Sequence, residues 1–171
     1  MNNNPTEIKK LYIIGGTMGI GKTTVCRELK RVLNNSVFLD GDWCWDMNPF
    51  VVNDETKSMV MDNICHALNN FLRCSAYENI IFCWVMHEQK IIDEILFGLD
   101  LSRCSVHCVS LICSEKALLD RLNKDIEKNL RSPDIIERSV ERIPLYEKLN
   151  TVKIDVSGKS VEDTVKEIID L

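Results

Sequence analysis

Leu11-Tyr12-Ile13-Ile14-Gly15-Gly16-Thr17-Met18-Gly19-Ile20-Gly21-Lys22-Thr23-Thr24 is an apolar run that passes straight into glycines. From Gly16 to Thr23 it reads Gly-x-x-x-x-Gly-Lys-Thr, the spacing of a phosphate-binding loop. A strand before such a loop and a helix after it make the motif credible. The glycines let the backbone wrap tightly enough to aim several N–H groups at one phosphate chain. A helix starting near Gly21 adds its positive dipole end and its free amides. The expected nucleotide contacts are therefore Gly16, Thr17, Met18, Gly19, Ile20, Gly21, Lys22, Thr23 and Thr24. Lys22 is long enough to reach the β- and γ-phosphates, and the Thr23 hydroxyl is a ligand for Mg²⁺.

Outward from this loop the chain alternates strands and helices. The expected strands are Lys10–Ile14, Ser36–Leu39, Asn79–Val85, Ser105–Ile112 and Val152–Val156. Helices are expected at about 21–33, with Val25, Leu29 and Val32 on one face, and at 54–72, with Val60, Ile64, Leu68 and Phe71. Another is expected at 88–97. Ser114 caps the next, Ser132 and Pro133 start one that Pro144 should kink or end, and Ser160 with Asp163 reads as a capping box. Such alternation predicts a doubly wound α/β fold with a five-stranded parallel sheet, in a single domain over residues 1–171. Ligands of such folds bind at the carboxyl ends of the strands.

Composition narrows the class. The 171 residues suit one domain with a real core. No apolar stretch approaches the ~20 residues that span a bilayer. The opening MNNNPTEIKK lacks the apolar region of a signal peptide. A net charge of −5 argues against nucleic acid as a partner. The eight cysteines form no C-x-x-C pair and read as reduced thiols, which predicts a cytoplasmic protein. Cys104, His107 and Cys108 come nearest to a metal cluster. An alternating strand, however, turns His107 away from the two thiols.

The second strand ends in Asp40-Gly41-Asp42, two carboxylates on the same sheet edge as the glycine loop. Transfer of a γ-phosphoryl to an alcohol needs a group to orient and deprotonate the hydroxyl, and an acid near Mg²⁺. A pair spaced by a flexible glycine supplies both, although Asp-Gly-Asp is also ordinary turn chemistry.

GGTMGIGKTT followed by LDGDW resembles the opening of the small P-loop kinases, which include gluconate kinase, adenylylsulfate kinase, shikimate kinase and chloramphenicol phosphotransferase. The resemblance spans nearly the whole chain. It implies ATP and Mg²⁺ as cofactors, with Thr23 and Asp40 on the metal and Asp42 as the base, or the two aspartates in the reverse roles. It also implies a small helical lid at about 123–133, with Arg121 and Arg131 closing over the phosphates. Arg138 and Arg142, four apart and so on one helix face, are weaker lid candidates. The loop Asp155–Ser160, with Gly158, is similar to the loop that cradles adenine in such kinases. Two features depart from the pattern: the third strand IIFCWVMHE carries no acid within it, and the later signature of gluconate kinases is missing.

Nucleoside and nucleoside-monophosphate kinases are the nearest competitors, and the latter clamp an acceptor phosphate with arginines. Between Gly41 and Asp100 the basic residues are Lys57, Arg73 and Lys90, while Asp42, Asp46, Asp54 and Glu55 accompany Trp43, Trp45 and Phe50. This predicts a pocket for a neutral or cationic small molecule bearing a hydroxyl. His87 falls at its edge. A P-loop ATPase or switch acting on a macromolecule is the alternative of another class. The expected form is a monomer or homodimer.

Overall fold

The computed structural model describes residues 8–171. The expectation that no apolar leader opens the chain falls largely on Met1–Glu7, outside the described residues.

Strands β1 (Lys9–Gly15), β2 (Ser36–Asp40), β3 (Asn79–Cys83), β4 (Cys104–Ile112) and β5 (Val152–Asp155) make one sheet in the order β2-β3-β1-β4-β5. Every pairing is parallel, as the alternation of elements predicted. Around it lie α1 (Lys22–Val32), α2 (Asp54–Arg73), α3 (Gln89–Phe97), α4 (Glu115–Glu127), α5 (Ile135–Glu141), α6 (Ile143–Glu147) and α7 (Val161–Ile169). Because strand side chains alternate, β1 feeds two cores. Tyr12 and Ile14 join one with Ile81, Leu29 and Ile168, while Leu11 and Ile13 join the other with Phe82, Ile64 and Leu68. Each such side chain buried outright contributes about 1.5–3 kcal/mol of apolar transfer. Among the described residues no helix is long and apolar enough to cross a membrane.

Several boundaries differ from the expected ones for physical reasons. On α1 the third core position is Cys26, fully buried, while Val32 is 42% exposed because the inward stripe has rotated past it by the last turn. Strand β3 ends at Cys83 rather than Val85, since Met86 sits at φ 26 and turns the chain away from the sheet. The Ser132–Pro133 segment forms a turn closed by Ile135 N–H on Ser132 O (3.2 Å), so α5 starts later than proposed. Pro144 falls in the first turn of α6, where its missing N–H costs nothing, and the chain breaks before it at Arg142. Ser160 caps α7 by accepting from Asp163 N–H at 3.0 Å. A fuller capping box escaped the sequence reading: Asn53 and Thr56 exchange bonds of 2.8 and 3.0 Å at the start of α2.

The eight cysteines are free thiols. On β4, Cys104 and Cys108 pack into the second core, whereas His107 stacks on Tyr12 at 5.2 Å across the sheet's other face.

Candidate active site

The loop between β1 and α1 is held by backbone geometry that side chains disfavour. Gly16, Gly19 and Gly21 have φ of 154°, 79° and 105°. A Cβ on Gly19 would lie 2.3 Å from the Leu122 side chain, so the glycine also lets α4 close onto the loop. Helix α1 starts at Lys22 with no side-chain cap and no acid in its first turn. Its leading amides are thus left for an anion. Lys22 is buried and its ammonium donates to Gly16 O (2.9 Å) and Thr17 O (3.0 Å). Burial lowers its pKa, against the pull of Cys83, Asp42 and Asp40. Thr17 also serves as a strut: it is buried and its hydroxyl donates to Ser139 O on α5 at 2.8 Å.

Asp40 and Asp42 are divided by the local fold. Asp40 is buried and accepts from the Thr23 hydroxyl at 2.7 Å and from Asp42 N–H at 3.1 Å. That second bond caps a short 3₁₀ turn, Gly41–Trp45. Gly41 is there for space rather than flexibility, because a Cβ would meet the Trp84 ring at 2.6 Å. The turn carries Asp42 to the mouth of the loop. Its pKa is raised by desolvation and by the Asp40 charge, with Lys22, the Trp84 indole and Arg131 pulling the other way. With oxygen donors from Thr23 and Asp40 side by side, the site fits Mg²⁺, a hard cation.

A cavity of about 290 Å³ lies over the loop, lined by Met18, Gly19, Gly21, Lys22, Thr23 and Thr24 and by Asp42, Arg121, Asp125 and Arg131. The expected lid segment is the end of α4 and the turn after it. Asn129, at φ 55, closes α4 with Asn129 N–H on Ile126 O (2.8 Å) and Leu130 N–H on Asp125 O (2.9 Å). This is a Schellman stop with asparagine in the glycine position. It aims Arg131 back at the loop, where it pairs with Asp125 at 3.2 Å. Arg121 sits elsewhere than a moving lid would have it. Its guanidinium donates to Ile20 O (2.8 Å) and Val156 O (2.5 Å), tying the loop to the end of β5. There it walls both the loop cavity and a groove of about 210 Å³ lined by Gly21, Thr24, Val156, Lys159 and Ser160. Gly158 belongs to that loop but is not on the wall.

On the far side of Asp42 open two adjoining cavities. One of about 630 Å³ is bordered by Asp42, Trp43, Trp45, Phe50, Trp84 and Arg142; the next, of about 670 Å³, by Trp45, Lys57, Met61, Trp84, His87 and Arg142. Counting cations between Gly41 and Asp100 therefore missed one: Arg142 enters from the junction of α5 and α6, while Lys57 borders the cavity from an exposed position on α2. Arg138 goes the opposite way, exposed and paired with Asp134 at 2.6 Å, so the two arginines do not act together. His87 lines the second cavity. Burial and then the Arg142 charge push its pKa down, Glu88 at 3.5 Å notwithstanding. Tyr146 anchors α6 beside it by donating to Val85 O.

Similar folds are known. A gluconokinase from Sinorhizobium meliloti 1021 superposes with a TM-score of 0.69 at 16% identity over 96% of this chain and 92% of its own. A tunicamycin resistance protein of Deinococcus radiodurans gives 0.71 at 19% over 95% and 94%, and a shikimate kinase from Acinetobacter baumannii 0.62 at 21% over 95% and 92%. No curated protein sequence matches the chain. The fold is that of the small P-loop kinases, and because residues 13–143 match the model described as an AAA domain, the chain belongs to that family.

Proposed function

We propose that the protein is an ATP-dependent kinase that transfers the γ-phosphoryl group to a hydroxyl of a small molecule. The observation that carries this reading is the place of Asp42, which borders both the loop cavity and the aromatic cavity beyond it. The loop amides, Lys22 and Arg131 hold the triphosphate and meet the charge that develops during transfer. Thr23 and Asp40 hold Mg²⁺, which supplies charge neutralisation between the phosphates. Asp42 orients the acceptor hydroxyl and takes its proton as the oxygen bonds to the γ-phosphorus and ADP leaves. The raised pKa suits a base that must accept a proton. Arg121, with Val156 and Lys159, borders the groove that would receive the adenine.

Free thiols support action in the cytoplasm, and the net charge of −5 supports a small acceptor over nucleic acid, in a monomer or homodimer. The test is transfer of labelled γ-phosphate from Mg-ATP to a panel of nucleosides, sugars, aminoglycosides and other hydroxylated metabolites. Transfer to, or ATP turnover stimulated by, a small alcohol is the expected result. Stimulation only by a protein or nucleic acid would overturn it in favour of a switch.

A further inference from the structure

Arg142 is the feature that the loop chemistry leaves unused. It lines both cavities beyond Asp42. Of the other charged groups on those walls, Lys57 pairs with Asp54 at 3.6 Å, Glu94 with Lys90 at 3.5 Å, and His87 lies 3.5 Å from Glu88, while Asp42, Asp46 and Asp62 have no cation within ion-pair distance among the described residues. Arg142 has no carboxylate within ion-pair distance among the described residues. A half-buried guanidinium without a counter-ion is free to take one, and its fork of N–H donors matches a carboxylate or phosphate in two bonds at once. The two titratable groups that feel its charge, His87 and Tyr146, add no negative charge, since burial holds the imidazole pKa down and the phenol pKa up. Asp46 and Asp62 also border the cavities, but neither closes on the guanidinium. The cavity that Arg142 and Asp42 share is also lined by Trp45 and Trp84, flat apolar surface against which a carbon skeleton can lie.

Building on the kinase reading above, we propose that the acceptor carries an anionic group, a carboxylate or a phosphate, that Arg142 binds, while its hydroxyl faces Asp42 at the other end of the same groove. Arg142 is thereby the specificity determinant of the acceptor site. The molecule is a hydroxylated oxyanion with an apolar or ring-shaped middle, in place of the neutral or cationic compound that the local charge count suggested. Cavities of this volume hold a small metabolite whole.

The experiment uses the full chain and matched probes that differ only in charge. The probes are 4-(hydroxymethyl)benzoate with its amide, and a nucleoside 5′-monophosphate with the parent nucleoside. Phosphoryl transfer is measured with Mg-ATP. Binding is measured separately, with the loop filled by a non-hydrolysable ATP analogue, through the fluorescence of the three tryptophans, all of which line these cavities. The expected result is a preference for one of the anionic members over its neutral partner. In Arg142→Met that preference should collapse, KM or Kd for the anionic probe rising about 10- to 100-fold with kcat changed less. Arg142→Lys should recover part of it, having charge without the fork. Retained affinity for the ATP analogue shows that each variant is folded. Anion binding that depends on Arg142 but leads to no transfer to any acceptor would sustain this proposal and sink the kinase reading. Transfer that favours neutral or cationic probes, equal losses for both members of a pair, or no binding of either anion would overturn the proposal.

Discussion

The two halves of the site are built on opposite plans. The phosphate half is framed locally: nine consecutive residues, Gly16 to Thr24, make the loop from positive-φ glycines and the bare end of α1, and Arg121 and Arg131 are added from α4 and the turn after it. The acceptor half is assembled at a distance, from the turn after β2, the end of β3, one wall of α2 and the α5–α6 junction. A phosphate's charge and shape never vary, so a short motif of backbone amides and one lysine can hold most of the recognition. A variable acceptor needs side chains that can be exchanged one by one, and these are better placed on separate elements. Asp42 is where the plans meet.

The largest effect should come from breaking the invariant half. Lys22→Ala removes the buried ammonium that now rests on Gly16 O and Thr17 O, and transfer should fall on the order of a thousandfold. Turnover with Mg-ATP in the purified variant is the check, and an unchanged rate would end the kinase reading. Next comes the meeting point. Asp42→Asn should lower transfer roughly a hundredfold while Mg-ATP affinity holds, as loss of a general base requires.

Asp42 also has a pH signature. Since its pKa is raised and the base form is the working one, activity should fall as pH drops through that value, which lies above the ordinary one for an aspartate. The same shift has a sign for stability. A carboxyl whose folded pKa lies above its unfolded one destabilises the fold as pH rises through the folded value. Asp42→Asn should therefore raise Tm at neutral pH, and the gain should vanish in acid below the unfolded pKa. A variant that lost both activity and Tm at neutral pH would mark Asp42 as a structural turn residue.

How far the sequence could be read follows the same division. The loop, all five strands and the parallel order of elements were legible because each rests on spacing within a short segment. Asp40 and Asp42 were legible as a pair, but their separation was not. It depends on Thr23 taking Asp40 and on Trp84 filling the space over Gly41, contacts between elements that no periodicity encodes. Arg121 was legible as a residue of the loop cavity, but its tethering was not, for a similar reason. Its position on the helix suggested a lid, yet its partners are two carbonyls far off in the chain. Arg142 could have been found by one signal: the Pro144 break implies a change of chain direction there, and hence a side chain aimed off the face that it would share with Arg138.

Smaller effects should separate Arg131 from Arg121. Arg131→Ala leaves the fold and should slow transfer about tenfold with little change in nucleotide affinity, since a closing residue acts late in the reaction. It should also move the acid limb of the pH profile upward, because Arg131 is one of the charges that hold the Asp42 pKa down. Arg121→Ala frees two carbonyls and should cost about 1.5–3 kcal/mol of stability together with nucleotide affinity. Thermal unfolding and nucleotide titration of the two variants measure this. Identical profiles would dissolve the distinction between a wall and a lid.

The smallest effect is the sharpest check on the comparison itself. Arg138 and Arg142 lie four apart, and a regular helix would put both over the phosphates. The chain breaks at Arg142 instead, sending one arginine to the acceptor cavity and leaving the other, 56% exposed in its side chain, on Asp134 in water. An exposed i, i+4 pair contributes about 0.3–0.5 kcal/mol, screened further by salt. Arg138→Ala should thus leave transfer, nucleotide affinity and acceptor preference where they were, with Tm lowered by a degree or so at most. If Arg138→Ala slowed transfer as much as Arg131→Ala does, α5 would have to swing over the loop during the reaction. The phosphate half would then draw on α5 as well, and the contrast between one half framed by a short motif and another made of gathered side chains would fail.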